Sequence, residues 1–253
     1  MLKGVYTALI TPYKENKKIN YEKFIELIEE QINKGVDGLV ILGTTGEASS
    51  LTNKEKNDLV DLAILVINKR VKLIVGCSSS NTLEASKKAL KLSKKKIDYL
   101  LVLTPYYLKT NNEGVIKHFN EIANKSKVPI IIYHVPSRTG QYLDKSVIKE
   151  LANHKNIIGI KEASGDISYF TKIARLASEN FQIYSGNDDM IATAMSLGAS
   201  GVISVVANIL PEETHNLVWS YLNGDIHTAK KIQLQYLDVI NNLFIETTYF
   251  KMI

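Results

Sequence analysis

The chain has 253 residues, 45% hydrophobic and 23% charged, the profile of an ordinary globular protein and close to the length of a single (β/α)8 barrel. Its formal charge of +5, from 31 basic and 26 acidic residues, is scattered over what read as helical faces (Lys87-Lys88, Lys94-Lys95-Lys96), which favours a solvated surface over a phosphate-binding patch, so no nucleic-acid partner is expected. The single Cys77 excludes an intramolecular disulfide, no apolar run reaches the ~20 residues of a membrane span, and Met1-Leu2-Lys3-Gly4 enters a strand without a signal-peptide core, so a cytoplasmic location with no membrane partner is expected.

In chain order, a β-branched apolar run at 5–10 is followed by a helical pattern at 21–33 with Asn20 in N-cap position. A second run at 38–42 precedes a helix at 53–68, capped by Thr52. Runs at 71–75 and 99–103 bracket a helix at 82–94, and a further helix at 113–125 leads to a run at 129–133. A helix at 145–153 then precedes runs at 157–160, 181–184 and 201–205. That is eight strand runs alternating with helical patterns such as these five, with no Pro/Gly/Ser-rich linker. Nearly continuous apolar strands are buried on both faces, the mark of a parallel sheet covered by helices. A closed α/β barrel fits better than an open doubly wound sheet. The turn after the first run is Thr11-Pro12-Tyr13, with no glycine-rich phosphate fingerprint.

Catalytic groups of such barrels gather where strands end. In Ile157-Ile158-Gly159-Ile160-Lys161-Glu162-Ala163 a lysine falls inside an apolar strand, where an unpaired ammonium costs several kcal/mol to bury. A salt bridge to Glu162 is disfavoured because successive strand side chains face opposite ways, and Lys161 shares its face with the small Gly159 and Ala163. Desolvation disfavours a charged amine, and the neutral form can attack a ketone, so Lys161 is either a nucleophile or half of a buried structural pair. Tyr133, ending the fifth run, is placed to relay protons or is simply a half-buried aromatic. Thr44 and Thr45 are turn residues whose hydroxyls and N–H groups also suit a small carboxylate. Arg138, one of three arginines in a lysine-rich chain, sits in the proline-stiffened loop Val135-Pro136-Ser137-Arg138-Thr139-Gly140, either as a bidentate carboxylate clamp or as a surface residue.

The motifs Gly43-Thr44-Thr45-Gly46-Glu47, Pro105-Tyr106-Tyr107, Tyr133-His134-Val135-Pro136-Ser137-Arg138-Thr139-Gly140 and Gly159-Ile160-Lys161-Glu162-Ala163, in this order, make the chain resemble the dihydrodipicolinate synthase family of pyruvate-dependent class I aldolases, from Val5 to about Glu246. The resemblance implies a TIM barrel in which Lys161 forms an imine with pyruvate. It further implies that Tyr133, Thr44 and a Tyr107 from a neighbouring subunit relay protons, so that the active unit is a homodimer or homotetramer. Thr45 would bind the pyruvate carboxylate, Arg138 the carboxylate of aspartate semialdehyde, and Gly186 and Ile203 would line the site through their backbones. No metal or organic cofactor is implied, in keeping with five histidines that lack metal-ligand spacing. His134 stands where the family usually has asparagine. Asn53 and Lys56 replace the histidines of lysine-sensitive members, in a region that also holds Ala48, Ser49, Ser80, Glu84 and Tyr106, so the resemblance does not carry feedback inhibition by lysine over to this chain.

The domain reading is a barrel over 1–223 and a remnant of the family's C-terminal helical segment over 224–253, the extension being largely missing. Two other activities compete: a lyase of sialic acid or another keto-sugar acid, disfavoured by Arg138 and the Gly43-Thr44-Thr45 turn, and a non-catalytic truncated barrel.

Overall fold

The computed structural model describes residues 2–243. Eight parallel strands close into a barrel in sequence order: β1 (Gly4–Ala8), β2 (Gly38–Ile41), β3 (Lys72–Gly76), β4 (Tyr99–Leu103), β5 (Ile130–His134), β6 (Ile157–Glu162), β7 (Gln182–Ser185) and β8 (Gly201–Ser204). Each predicted run begins and ends within two residues of its strand, and β1 pairs with β8 to close the ring. The surrounding helices are α1 (Tyr21–Asn33), α2 (Asn53–Ile67), α3 (Thr82–Leu92), α4 (Asn112–Lys125), α5 (Pro136–Thr139), α6 (Lys145–Leu151), α7 (Ile167–Ala174), α8 (Ile191–Ser196), α9 (Pro211–Leu222), α10 (Ile226–Gln235) and α11 (Leu237–Asn242). The last ten residues of the expected C-terminal segment, 244–253, and the end of the family resemblance at Glu246 lie outside the described residues.

Cap chemistry sets the helix starts. Asn20 accepts from the Lys23 N–H, and Thr52 and Glu55 form a reciprocal capping box that satisfies two of the first turn's free donors. Pro136 begins α5, so the segment carrying Arg138 is a helical turn where the sequence suggested a stiffened loop.

Strand alternation separates two cores. Outward side chains such as Val5, Leu39, Val75, Val102, Ile132 and Ile160 pack under the helices, whereas Tyr6, Val40, Ile74, Leu101, Ile131, Tyr184 and Ile203 fill the barrel interior. The lumen is therefore plugged, and a ligand has room only above this plug, at the rim where the strands end.

One buried histidine stabilises the scaffold conditionally. His118 on α4 is 1% exposed and its Nδ1 lies 2.9 Å from the Thr82 hydroxyl at the start of α3. Burial pushes its imidazole down to about 4, with the Leu103 carbonyl partly opposing. The unfolded chain, whose histidine titrates near 6.5, takes up a proton that the folded chain refuses. Stability should fall as pH drops from 6.5 towards 4, by about 2 kcal/mol at pH 5 for this group alone. Urea unfolding of the wild type and of His118→Gln at pH 7 and pH 5 checks this. The wild type should lose about 2 kcal/mol more than the variant on acidification.

Candidate active site

Six of the eight residues expected at the site line one cavity of about 660 Å³ at the C-terminal rim: Thr44, Thr45, Tyr133, Arg138, Lys161 and Gly186. Thr44 and Thr45 sit in the turn after β2, which is braced by Glu47 N–H to Thr44 C=O (3.0 Å) and by the Thr11 hydroxyl to Gly46 C=O (2.7 Å). Tyr133 and Lys161 are the last residues but one of β5 and β6. Arg138 is exposed at the mouth, and among the described residues it makes no ion pair.

Lys161 is 4% exposed, and its Nζ stands 4.6 Å from the centroid of the Tyr133 ring. No carboxylate among the described residues pairs with it. Glu162 points the opposite way, as alternation predicts, and bonds His134 instead. The two groups face each other because β6 carries an irregularity. Ile130 pairs with Ile157 but Ile131 pairs with Gly159, so Ile158 is an extra residue in the ladder and Tyr133 comes opposite Lys161. Without that bulge Tyr133 would face Ile160, whose side chain lies in the outer core.

Gly186 must be glycine for a steric reason. A Cβ there would come within 2.9 Å of Lys161 Cε and 2.5 Å of the Ala163 Cβ, so any side chain would crowd the lysine. Ile203 is fully buried in the lumen plug and does not line the cavity. Tyr107 is 90% exposed and does not line it either. Its φ of +68° and the Leu108 N–H to Tyr106 C=O bond of 2.8 Å put it at the centre of a γ-turn, a strained conformation for an aromatic residue. No hydrogen bond joins Thr44, Tyr133 and Tyr107 among the described residues.

The cavity also contains a group that the sequence reading missed. Asp188, in the 3-10 turn after β7, is 6% exposed and accepts the backbone N–H groups of Val205 and Val206 at 2.9 Å each. Burial pushes its carboxyl up, against the opposing pull of the Ser204 hydroxyl, those two N–H groups and the Lys161 charge. Gln233 of α10 supports this turn by donating to the Asp188 carbonyl and accepting from Ala192 N–H. The run Asn187-Asp188-Asp189 reads as a solvated loop, and nothing local signals a carboxylate bridging to β8. Among the described residues no cluster of three His, Cys, Asp or Glu could hold a metal ion, and no helix is long and apolar enough to cross a membrane.

An eight-stranded parallel barrel with a lysine buried at the rim places the chain in the α/β-barrel class, with a candidate nucleophile where such barrels carry their active sites. The chain matches the dihydrodipicolinate synthetase family over residues 1–253 and belongs to that family. It is 44% identical over 250 residues to 4-hydroxy-tetrahydrodipicolinate synthase of Clostridium perfringens (98% of this chain, 84% of the relative). It is 45% identical over 247 residues to the same enzyme of Brachyspira hyodysenteriae (98% and 84%). Its fold superposes with a TM-score of 0.95 and 33% identity on dihydrodipicolinate synthase from Acinetobacter baumannii complexed with pyruvate, covering 98% of this chain and 85% of that one. The activity is that of a 4-hydroxy-tetrahydrodipicolinate synthase, a step of lysine biosynthesis.

Proposed function

We propose that the reaction proceeds through an imine between Lys161 and pyruvate, followed by condensation with aspartate semialdehyde. The amine of Lys161 attacks the keto carbon, and two proton transfers expel the oxygen as water. Loss of a methyl proton gives the enamine. Its carbon attacks the aldehyde of the second substrate, and that substrate's own amine then displaces Lys161 to close the ring. Tyr133 and Thr44, joined by Tyr107 of the partner subunit in a homodimer or homotetramer, move the protons. Thr45 and the backbone at Gly186 hold the pyruvate end, and Arg138 clamps the carboxylate of aspartate semialdehyde.

The observation that carries this reading is the pairing of Lys161, 4% exposed and in no ion pair among the described residues, with the face of Tyr133 at 4.6 Å inside a cavity of small-molecule size. Incubation with pyruvate and borohydride, followed by mass spectrometry of the peptides, tests it. A mass gain on the Lys161 peptide is expected, and an unmodified chain would refute it. Arg138→Ala should leave that adduct intact and raise KM for aspartate semialdehyde ~10- to 100-fold, the loss of a charge-assisted hydrogen-bonded pair. Steady-state kinetics with each substrate varied checks the separation.

A further inference from the structure

Behind the barrel wall, on the two strands that carry Tyr133 and Lys161, lies a pair that the reaction scheme leaves unused. His134 and Glu162 are the next residues along β5 and β6, are opposite each other in the ladder, and point away from the cavity, His134 packing on Tyr142, Leu143 and, from α7, Tyr169. They are 0% and 3% exposed, and His134 Nδ1 lies 2.5 Å from Glu162 Oε2.

Their proton arrangement is fixed by the backbone. The N–H of Leu143 points at His134 Nε2 at 3.2 Å, so that nitrogen accepts and carries no hydrogen. The ring hydrogen is then on Nδ1 and is donated to Glu162. The second carboxylate oxygen, Oε1, accepts the N–H of Ser164 at 2.7 Å. Facing two donors, Glu162 is required as an ionised acceptor, and His134 as the neutral Nδ1–H form. The other groups packed on His134 are the rings of Tyr142 and Tyr169, at 5.2 and 5.0 Å. The Tyr142 hydroxyl donates to Asp166 at 3.2 Å, at the start of α7.

The backbone of the same two residues ties the rim together. The His134 carbonyl accepts Ala163 N–H at 2.9 Å, and the Glu162 carbonyl accepts Gly186 N–H at 2.6 Å. The ends of β5, β6 and β7 and the segments 140–144 and 163–166 therefore meet at one buried dyad, one residue behind the two groups whose mutual approach matters most.

We infer that His134 and Glu162 form a positioning pair that fixes the Tyr133 phenol and the Lys161 amine relative to each other and to Gly186. This inference rests on the aldolase reading above. The pair touches neither substrate nor reacting atoms, and acts by holding the strand ends from behind.

Three variants test it, each measured for melting temperature, kcat, KM for pyruvate and rate of borohydride trapping. Glu162→Gln sets an amide NH2 against one of the two donors. His134→Phe keeps a ring against Tyr142 and Tyr169 but removes both nitrogens. Both should lower kcat and the trapping rate ~10- to 100-fold while KM for pyruvate moves less than ~3-fold, the signature of misalignment rather than lost binding. His134→Asn places an amide nitrogen where Nδ1 stands and should restore kcat to within ~3-fold of wild type, because the bond to Glu162 is remade. Should His134→Phe fail to fold, Glu162→Gln and His134→Asn carry the comparison. Variants that melt earlier but turn over and are trapped at the wild-type rate would overturn the inference while leaving the aldolase reading intact. A wild-type chain that takes up no pyruvate would sink both.

Discussion

Replacing Lys161 by Ala should abolish the borohydride-trapped adduct and slow turnover on the order of 10⁴- to 10⁶-fold, the scale on which covalent catalysis is lost with its nucleophile. Alanine offers no amine, and among the described residues no other lysine lines the cavity to replace it. The fold should survive. Lys161 has no ion pair to break among the described residues, and removing a buried cation relieves a desolvation cost. Circular dichroism and melting temperature should match wild type or exceed it. Activity that persists within tenfold of wild type would mean that imine formation is not the route.

Tyr133→Phe should lower kcat ~10²- to 10⁴-fold, the range attributed to a positioned proton-transfer group. The substitution keeps the ring over which the Lys161 Nζ sits and the packing against the lumen plug, and deletes only the hydroxyl. The adduct should therefore still form, but slowly. Stopped-flow trapping distinguishes slow formation from absent formation: the final mass gain should equal wild type while the rate falls. A variant with unchanged rate constants would assign the proton transfers to some other group, with Asp188 the first to examine because it is buried in the same cavity.

The fold was legible because parallel strands buried on both faces must be written in Val, Ile and Leu, and eight such runs separated by capped helices have few ways to close. Lys161 was legible for the complementary reason, a charge interrupting an apolar run where only chemistry or a counter-ion could hold it. Alternation also separated Lys161 from Glu162, and the His134 bond to Glu162 bears that out. The α5 turn escaped the reading because four residues are too short for a helical period. Asp188 escaped it because its partners, Val205 and Val206, lie 17 and 18 residues further on and meet it only when β7 and β8 pair. His134 lay in plain view within a motif, but its role depends on Leu143 and Ser164 donating from two different connections, which no strand pattern reports.

The extra residue at Ile158 gives the site an unusual evolutionary exposure. The amine's direction is decided three positions upstream, by a count of peptide units and not by any side chain of the signature motifs. A single in-frame codon insertion between positions 158 and 159, with the bulge kept to one residue, would leave every recognisable motif spelled correctly, yet would bring the sixth strand one step out of phase and turn its lysine into the outer shell of helices. A homologue so altered would pass inspection of its text and be inert.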